Sequence, residues 1–155
     1  MSRRVLWFWG SLILTVTTIV LLVTGSSVLL FALDDENSIP LGTFITWAGM
    51  IALPLTIYWG SKDFREPQTS WTRFLAGALK FILLLAVLWV PISYGLAGNL
   101  SFTFTERVTF QGGQLAMRWF WRLSYGIAIG SVLILLAYWS SLIFLRGKAH
   151  DTHSK

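Results

Sequence analysis

Long apolar runs alternate with short polar segments along this chain. Four runs of about 20 residues or more occupy positions 6–33, 41–59, 73–97 and 115–144. A helix needs about 20 apolar residues to cross a hydrocarbon core of roughly 30 Å. The pattern therefore predicts an all-α integral membrane protein, a single membrane domain built as a four-transmembrane-helix bundle, with residues 145–155 as a polar tail.

Two of the runs are longer than the membrane core requires, and two contain a proline. About 28 residues in the run at 6–33 would rise roughly 42 Å, so we expect this helix to tilt, bend or project. The bend is expected at residues 24–27, where hydroxyls and a glycine loosen the backbone ladder. Pro54 and Pro91 are expected to interrupt the second span and kink the third.

The longest polar segment contains a pattern typical of a β-strand. From 101 to 110, residues with side chains on one face (Phe102, Phe104, Glu106, Val108 and Phe110) alternate with polar residues on the other, and Glu106 is the one charged member of the otherwise apolar face. This is the period of an extended chain. One strand alone is unstable in water. We therefore expect this segment to lie on the membrane surface, to fold back as a hairpin, or to pair with another chain.

The distribution of the cations predicts the orientation of the bundle. With both termini in the cytoplasm, nine cations lie on the cytoplasmic side and three on the outer side. Cytoplasmic segments are enriched in lysine and arginine, so the count supports this arrangement. The pI is near 10.0. Because the cations are dispersed around helix ends, we expect them to set the orientation in the membrane and to attract phospholipid head groups, and we expect no binding of nucleic acid. The expected location is the bacterial inner (plasma) membrane or an equivalent energy-transducing membrane.

The composition excludes several kinds of chemistry. The chain has no cysteine, which removes disulfides, thiolate metal sites and thiol nucleophiles. The only histidines, His150 and His153, lie in the tail, so histidine ligation of haem within the spans is excluded. The predicted spans also lack Asp and Glu, the usual members of a proton relay in a membrane. We therefore expect no metal site and no cofactor, and we expect Lys80, the one deep ionisable residue, to extend towards the near interface.

The most distinctive stretch is residues 115–130, LAMRWFWRLSYGIAIG, at the start of the fourth span. Arg118 and Arg122 share a helix face because they are four residues apart. One hypothesis is an anion site for a phospholipid phosphate, an anionic substrate or a partner's carboxylate. The other is that the arginines reach head groups or form ion pairs with acidic residues predicted on the same side. Those residues are Asp34, Asp35, Glu36 and Glu106.

The same stretch also carries a close-packing motif. Gly126 and Gly130 form a small-x-x-x-small pair, which lets a second helix approach closely, either within the chain or from another chain. Trp119 and Trp121 precede the pair, and Tyr125 lies beside it. Together with the two arginines, these residues predict a surface that binds a partner or lipid.

The sequence leaves three functions open. The first is a non-catalytic accessory, assembly or structural subunit of a larger membrane complex, docked through the outer half of the fourth helix onto other integral membrane subunits or onto itself. The second is a small oligomeric transporter or channel that uses kinks at Pro54 and Pro91 and the close contact at Gly126 and Gly130, since interrupted spans are a pointer to a binding site in the middle of the membrane. The third is a lipid-modifying enzyme in which Arg118 and Arg122 hold a phosphate.

Overall fold

A computed structural model describes residues 2–31, 33, 41–97 and 113–152. This part of the chain is helical, and four of its helices are long and apolar enough to cross a membrane. The predicted membrane-spanning bundle is confirmed to that extent, whereas the predicted strand at 101–110 lies outside the described residues. The helices are α1 (Arg3–Val23), α2 (Leu41–Gly60), α3 (Lys62–Arg65), α4 (Ser70–Ala97) and α5 (Gly113–Thr152).

The run predicted as one span at 6–33 is not a single helix. α1 ends at Val23, and the chain turns where the bend was expected. Gly25 has a φ of 60°, a left-handed conformation that ends helices and that glycine adopts without a steric penalty. A short 3₁₀ helix, Ser27–Leu30, follows the turn. The excess apolar length is therefore accommodated by a turn and not by a longer tilted helix.

The two prolines lie inside continuous helices. α2 passes through Pro54 and α4 passes through Pro91, so neither span is divided in two. Membrane helices tolerate proline where neighbouring groups satisfy the freed backbone positions. α5 is also longer than expected, with 40 residues, and its last turns continue into the predicted tail as far as Thr152.

α2 is the central helix of the bundle. It packs against α1, α4 and α5, and α4 and α5 also pack closely along each other. The indole of Trp47 on α2 donates to the carbonyl of Ala86 on α4 at 3.0 Å. In the described part of the chain, no Cα atom of α1 lies within 8 Å of a Cα atom of α5. α1 is consequently held almost entirely by α2.

The interface between α1 and α2 combines hydroxyl groups with a glycine. Ser11, Thr15 and Thr18 are the buried residues of α1, and their spacing places them on one face. The hydroxyls of Thr15 and Thr56 lie 3.4 Å apart, and Thr18 donates to the carbonyl of Ile45 at 3.3 Å. A methyl group on Gly49 would lie 2.4 Å from Thr18 Cγ2, so only glycine allows this approach.

The helix contacts divide the charges between the two ends of the bundle. Ser61, directly after α2, contacts Tyr138 in the second half of α5. Because neighbouring helices are antiparallel, one end of the bundle therefore contains the start of α1, the end of α2, the start of α4 and the later part of α5. We call it the basic end, since among the described residues it holds seven cations. They are Arg3, Arg4, Lys62, Arg65, Arg73, Arg146 and Lys148. The opposite end carries Arg118 and Arg122.

Candidate functional site

The first half of α5 is fixed in rotation by contacts with α4. The indole Nε1 of Trp89 donates to the carbonyl of Phe120 at 3.2 Å, and the two rings lie 4.6 Å apart. Ser124 donates to the same carbonyl at 2.7 Å. Phe120, Leu123, Ser124 and Ile127 face into the bundle, so Trp121, Arg122, Tyr125 and Gly126 face outwards.

The outward surface of this half of α5 contains most of the predicted site. We call it the α5 face; its members are Arg118, Trp119, Trp121, Arg122, Tyr125 and Gly126, and all are exposed. The rings of Trp121 and Tyr125 are stacked with centroids 5.6 Å apart. The guanidinium of Arg122 lies 5.7 Å from the ring centroid of Trp119. Such a cation–π contact is worth about 0.5–1 kcal/mol at an exposed site.

The two glycines of the motif have different surroundings. A methyl group on Gly130 would lie 2.7 Å from Cδ1 of Ile82, so Gly130 gives α4 room to approach. A methyl group on Gly126 would meet nothing within 4 Å. The motif is therefore shared between an internal contact at Gly130 and an open notch at Gly126.

The predicted ion pairs of the arginines fall outside the described part of the chain. Asp34, Asp35, Glu36 and Glu106 are not among the described residues. The exposed side chains of the α5 face are two arginines and three large aromatic residues, and they occupy the two turns before Gly126. This combination suits an anionic or aromatic partner group at the membrane interface.

A second polar cluster, at the basic end, was not predicted from the sequence. The hydroxyl of Ser61 donates to Oη of Tyr138 at 2.9 Å, and Tyr138 donates to Oδ2 of Asp63 at 2.7 Å. The backbone N–H of Asp63 donates to Ser61 Oγ at 3.3 Å, which closes the ring of contacts. The cluster joins the α2–α4 connection to α5. Its members come from the short polar segment after α2 and from an apolar helix more than 70 residues later, and nothing in the local sequence pattern links the two.

Arg65 completes the packing of this connection. Its guanidinium donates to the carbonyl of Trp59 at the end of α2 and lies 5.9 Å from the Trp59 ring centroid. A cation at this position satisfies a terminal carbonyl and complements the helix dipole. Phe64 is buried beneath, against the ring of Tyr138 at 5.0 Å. The one-turn helix α3 therefore fixes α2, α4 and α5 relative to each other.

No protein-family model, curated protein or solved structure matches this chain. Among the described residues, no group of three or more His, Asp or Glu side chains could hold a metal ion. The function must therefore be argued from the surfaces of the bundle and the charges at its two ends.

Proposed function

We propose that this protein is a non-catalytic accessory or assembly subunit of a larger membrane complex and that it docks through the α5 face. The observation that carries the proposal is the open notch at Gly126, flanked by Tyr125 and Arg122 on a surface directed away from α2 and α4. Interfaces between membrane helices are enriched in small residues, because these allow backbones to approach. Aromatic and arginine residues are the usual anchors of such contacts.

The proposal includes an orientation and a location. With both termini in the cytoplasm, the basic end faces the cytoplasm and the α5 face lies in the outer half of the membrane. The membrane is the bacterial inner membrane or an equivalent energy-transducing membrane. The partner is another integral membrane subunit whose helix reaches the level of Gly126.

The geometry favours this function over a transporter. The transporter hypothesis uses kinks at Pro54 and Pro91 and a contact between copies at Gly126 and Gly130. Both prolines lie within continuous helices, so neither span is divided. Gly130 already faces Ile82 of α4, which leaves only Gly126 open to a second chain. The enzyme hypothesis assigns a phosphate to Arg118 and Arg122. These arginines lie on an exposed surface, where the water-excluded setting that strengthens such contacts is lacking.

Photo-crosslinking in intact membranes tests the docking surface. A photoreactive residue replaces Tyr125 on the α5 face or, as a control, Leu84 on the exposed surface of α4. We expect a discrete crosslink to one integral membrane protein from position 125 and none from position 84. Crosslinks only between copies of this chain, together with a monodisperse homo-oligomer after purification, would contradict the accessory function and favour an oligomeric transporter.

A matched pair of glycine substitutions tests the notch. Gly126→Leu fills it, whereas Gly77→Leu adds the same side chain to α4, where a Cβ also meets nothing within 4 Å. Overpacking an interface costs about 1–3 kcal/mol, so partner recovery after mild-detergent purification should fall roughly tenfold for Gly126→Leu. It should not change for Gly77→Leu. Equal recovery with both variants would exclude the notch as the contact.

A further inference from the structure

A furrow runs along the bundle between α1 and α5, with α2 as its floor. It exists because the backbones of α1 and α5 stay apart in the described part of the chain, with no pair of Cα atoms within 8 Å. Two cavities of about 480 Å³ each lie along it. The cavity in the middle of the membrane is lined by residues that include Leu22, Gly49, Leu53, Ala128 and Val132. The cavity at the basic end is lined by residues that include Phe8, Thr56, Ser61, Lys62, Tyr138 and Trp139.

The two cavities are consecutive parts of one furrow, and their chemistry differs. Leu53 lines the first and Thr56 lines the second, and residues three apart are neighbours on a helix. The mid-membrane part is almost wholly apolar. The part at the basic end is lined by Ser61 and Tyr138, whose hydroxyls are already hydrogen-bonded, and by Lys62, whose ammonium is the cation it presents. The furrow is therefore amphipathic along its length, with its polar part at the membrane surface.

The charges at the polar part suit an anion. Lys62 Nζ lies 3.5 Å from Glu66, but its side chain is 72% exposed, and an exposed pair at this spacing is worth only about 0.3–0.5 kcal/mol. A phosphate can therefore replace Glu66. Arg4 lies on the same side of α1 as Phe8, one turn beyond it towards the surface. The Asp63 carboxylate already accepts the hydroxyl of Tyr138.

We propose that this furrow binds one phospholipid with an anionic head group. An acyl chain lies along Gly49 and Leu53, and the phosphate lies near Lys62 and Arg4. A bilayer lipid fits because the furrow opens sideways along the membrane and because its apolar and basic parts match the tail and the head of such a molecule. The site is separate from the α5 face, so it does not depend on the proposed docking function.

The acyl part is tested by filling the mid-membrane cavity. The full chain is reconstituted in vesicles of equal phosphatidylcholine and phosphatidylglycerol, extracted in mild detergent, and analysed for bound phospholipid by mass spectrometry. Val132→Trp fills the furrow, and Val87→Trp adds the same side chain to α4; the native valines are 46% and 42% exposed. We expect one retained phospholipid in the wild type and in Val87→Trp, and its loss in Val132→Trp.

The head-group part is tested with two double variants of equal charge. Arg4→Gln with Lys62→Gln removes the two cations at the furrow, and Arg3→Gln with Arg73→Gln removes two cations elsewhere at the same end. Preference for phosphatidylglycerol should fall roughly fivefold for each cation lost in the first pair. It should stay near the wild-type value in the second pair.

Three results would overturn the proposal. They are a wild-type protein that retains no phospholipid, equal lipid content in the two tryptophan variants, and equal head-group preference in the two glutamine pairs. Size-exclusion chromatography shows whether each variant is folded. If Val132→Trp does not yield folded protein, the glutamine pairs decide the question alone.

Discussion

Replacing Tyr138 with phenylalanine isolates the polar cluster at the basic end. The substitution removes one hydroxyl and keeps the ring, so the contact with Phe64 at 5.0 Å is preserved. Two hydrogen bonds are lost, one accepted from Ser61 at 2.9 Å and one donated to Asp63 at 2.7 Å. The effect therefore measures the cluster and not the packing of the aromatic ring.

The size of the effect follows from the kind of hydrogen bond that is lost. A hydrogen bond to a charged group contributes about 1.5–3 kcal/mol net. Tyr138 is only 9% exposed, but Asp63 is half-buried and can recover part of its hydration. We therefore expect Tyr138→Phe to lower the free energy of unfolding by about 2 kcal/mol. In an Asp63→Asn background the same substitution should cost about 1 kcal/mol less, because the charged acceptor is already absent.

Both losses of unfolding free energy, in the wild-type and in the Asp63→Asn background, are measured by denaturant unfolding in detergent micelles, with tryptophan fluorescence as the signal. Tyr125→Phe is the matched control, since Tyr125 also lies on α5 but is 58% exposed, and its ring stacking survives the change. Surface substitutions of this kind usually stay within about 0.5 kcal/mol. If Tyr138→Phe is as well tolerated as Tyr125→Phe, the cluster does not hold α5 to the α2–α4 connection.

Two further substitutions test the packing of the helices in the same unfolding assay. Gly49→Ala should destabilise the protein by about 1–3 kcal/mol, because its methyl group would lie 2.6 Å from Cβ of Thr18, a clash that no rotation of the Thr18 side chain relieves. Gly77→Ala, with open space around it, should be neutral or stabilising by roughly 0.5–1 kcal/mol. Trp89→Phe should lower the free energy of unfolding by about 2–3 kcal/mol, because it removes the indole donor and leaves a cavity. Trp71 is exposed, so Trp71→Phe should have little effect. Similar losses for the two variants would contradict this explanation.

The number of spans could be predicted because the length of an apolar run is a local property of the sequence. The second span was predicted at 41–59 and α2 is Leu41–Gly60; the third was predicted at 73–97 and α4 is Ser70–Ala97. The first span was overestimated because hydropathy does not distinguish an apolar helix from the apolar turn and 3₁₀ helix that follow Val23. The positive φ at Gly25 decides where that helix ends.

The candidate sites depend on helix rotation and on distant pairs, which the sequence does not specify. The residues of the α5 face could be predicted as a set. Which of Gly126 and Gly130 faces inwards depends on the rotation of α5, and that rotation is set by the contact of Phe120 with Trp89 on α4. The cluster of Ser61 and Tyr138 joins positions 77 residues apart. A tyrosine within an apolar run gives no local signal of its partner.

Because the backbones of α1 and α5 stay apart, α1 is attached to the bundle mainly through α2. α1 buries mainly Ser11, Thr15 and Thr18, so its attachment to α2 depends on hydroxyl contacts and the close approach at Gly49 more than on apolar area. Such hydrogen bonds between membrane helices average only about 0.6 kcal/mol. A phospholipid in the furrow touches α1, α2 and α5 at once, and a ligand that binds only the assembled bundle stabilises it by mass action. Anionic lipid should therefore protect α1 from local dissociation more than it protects the α4–α5 pair, which already packs along its described length.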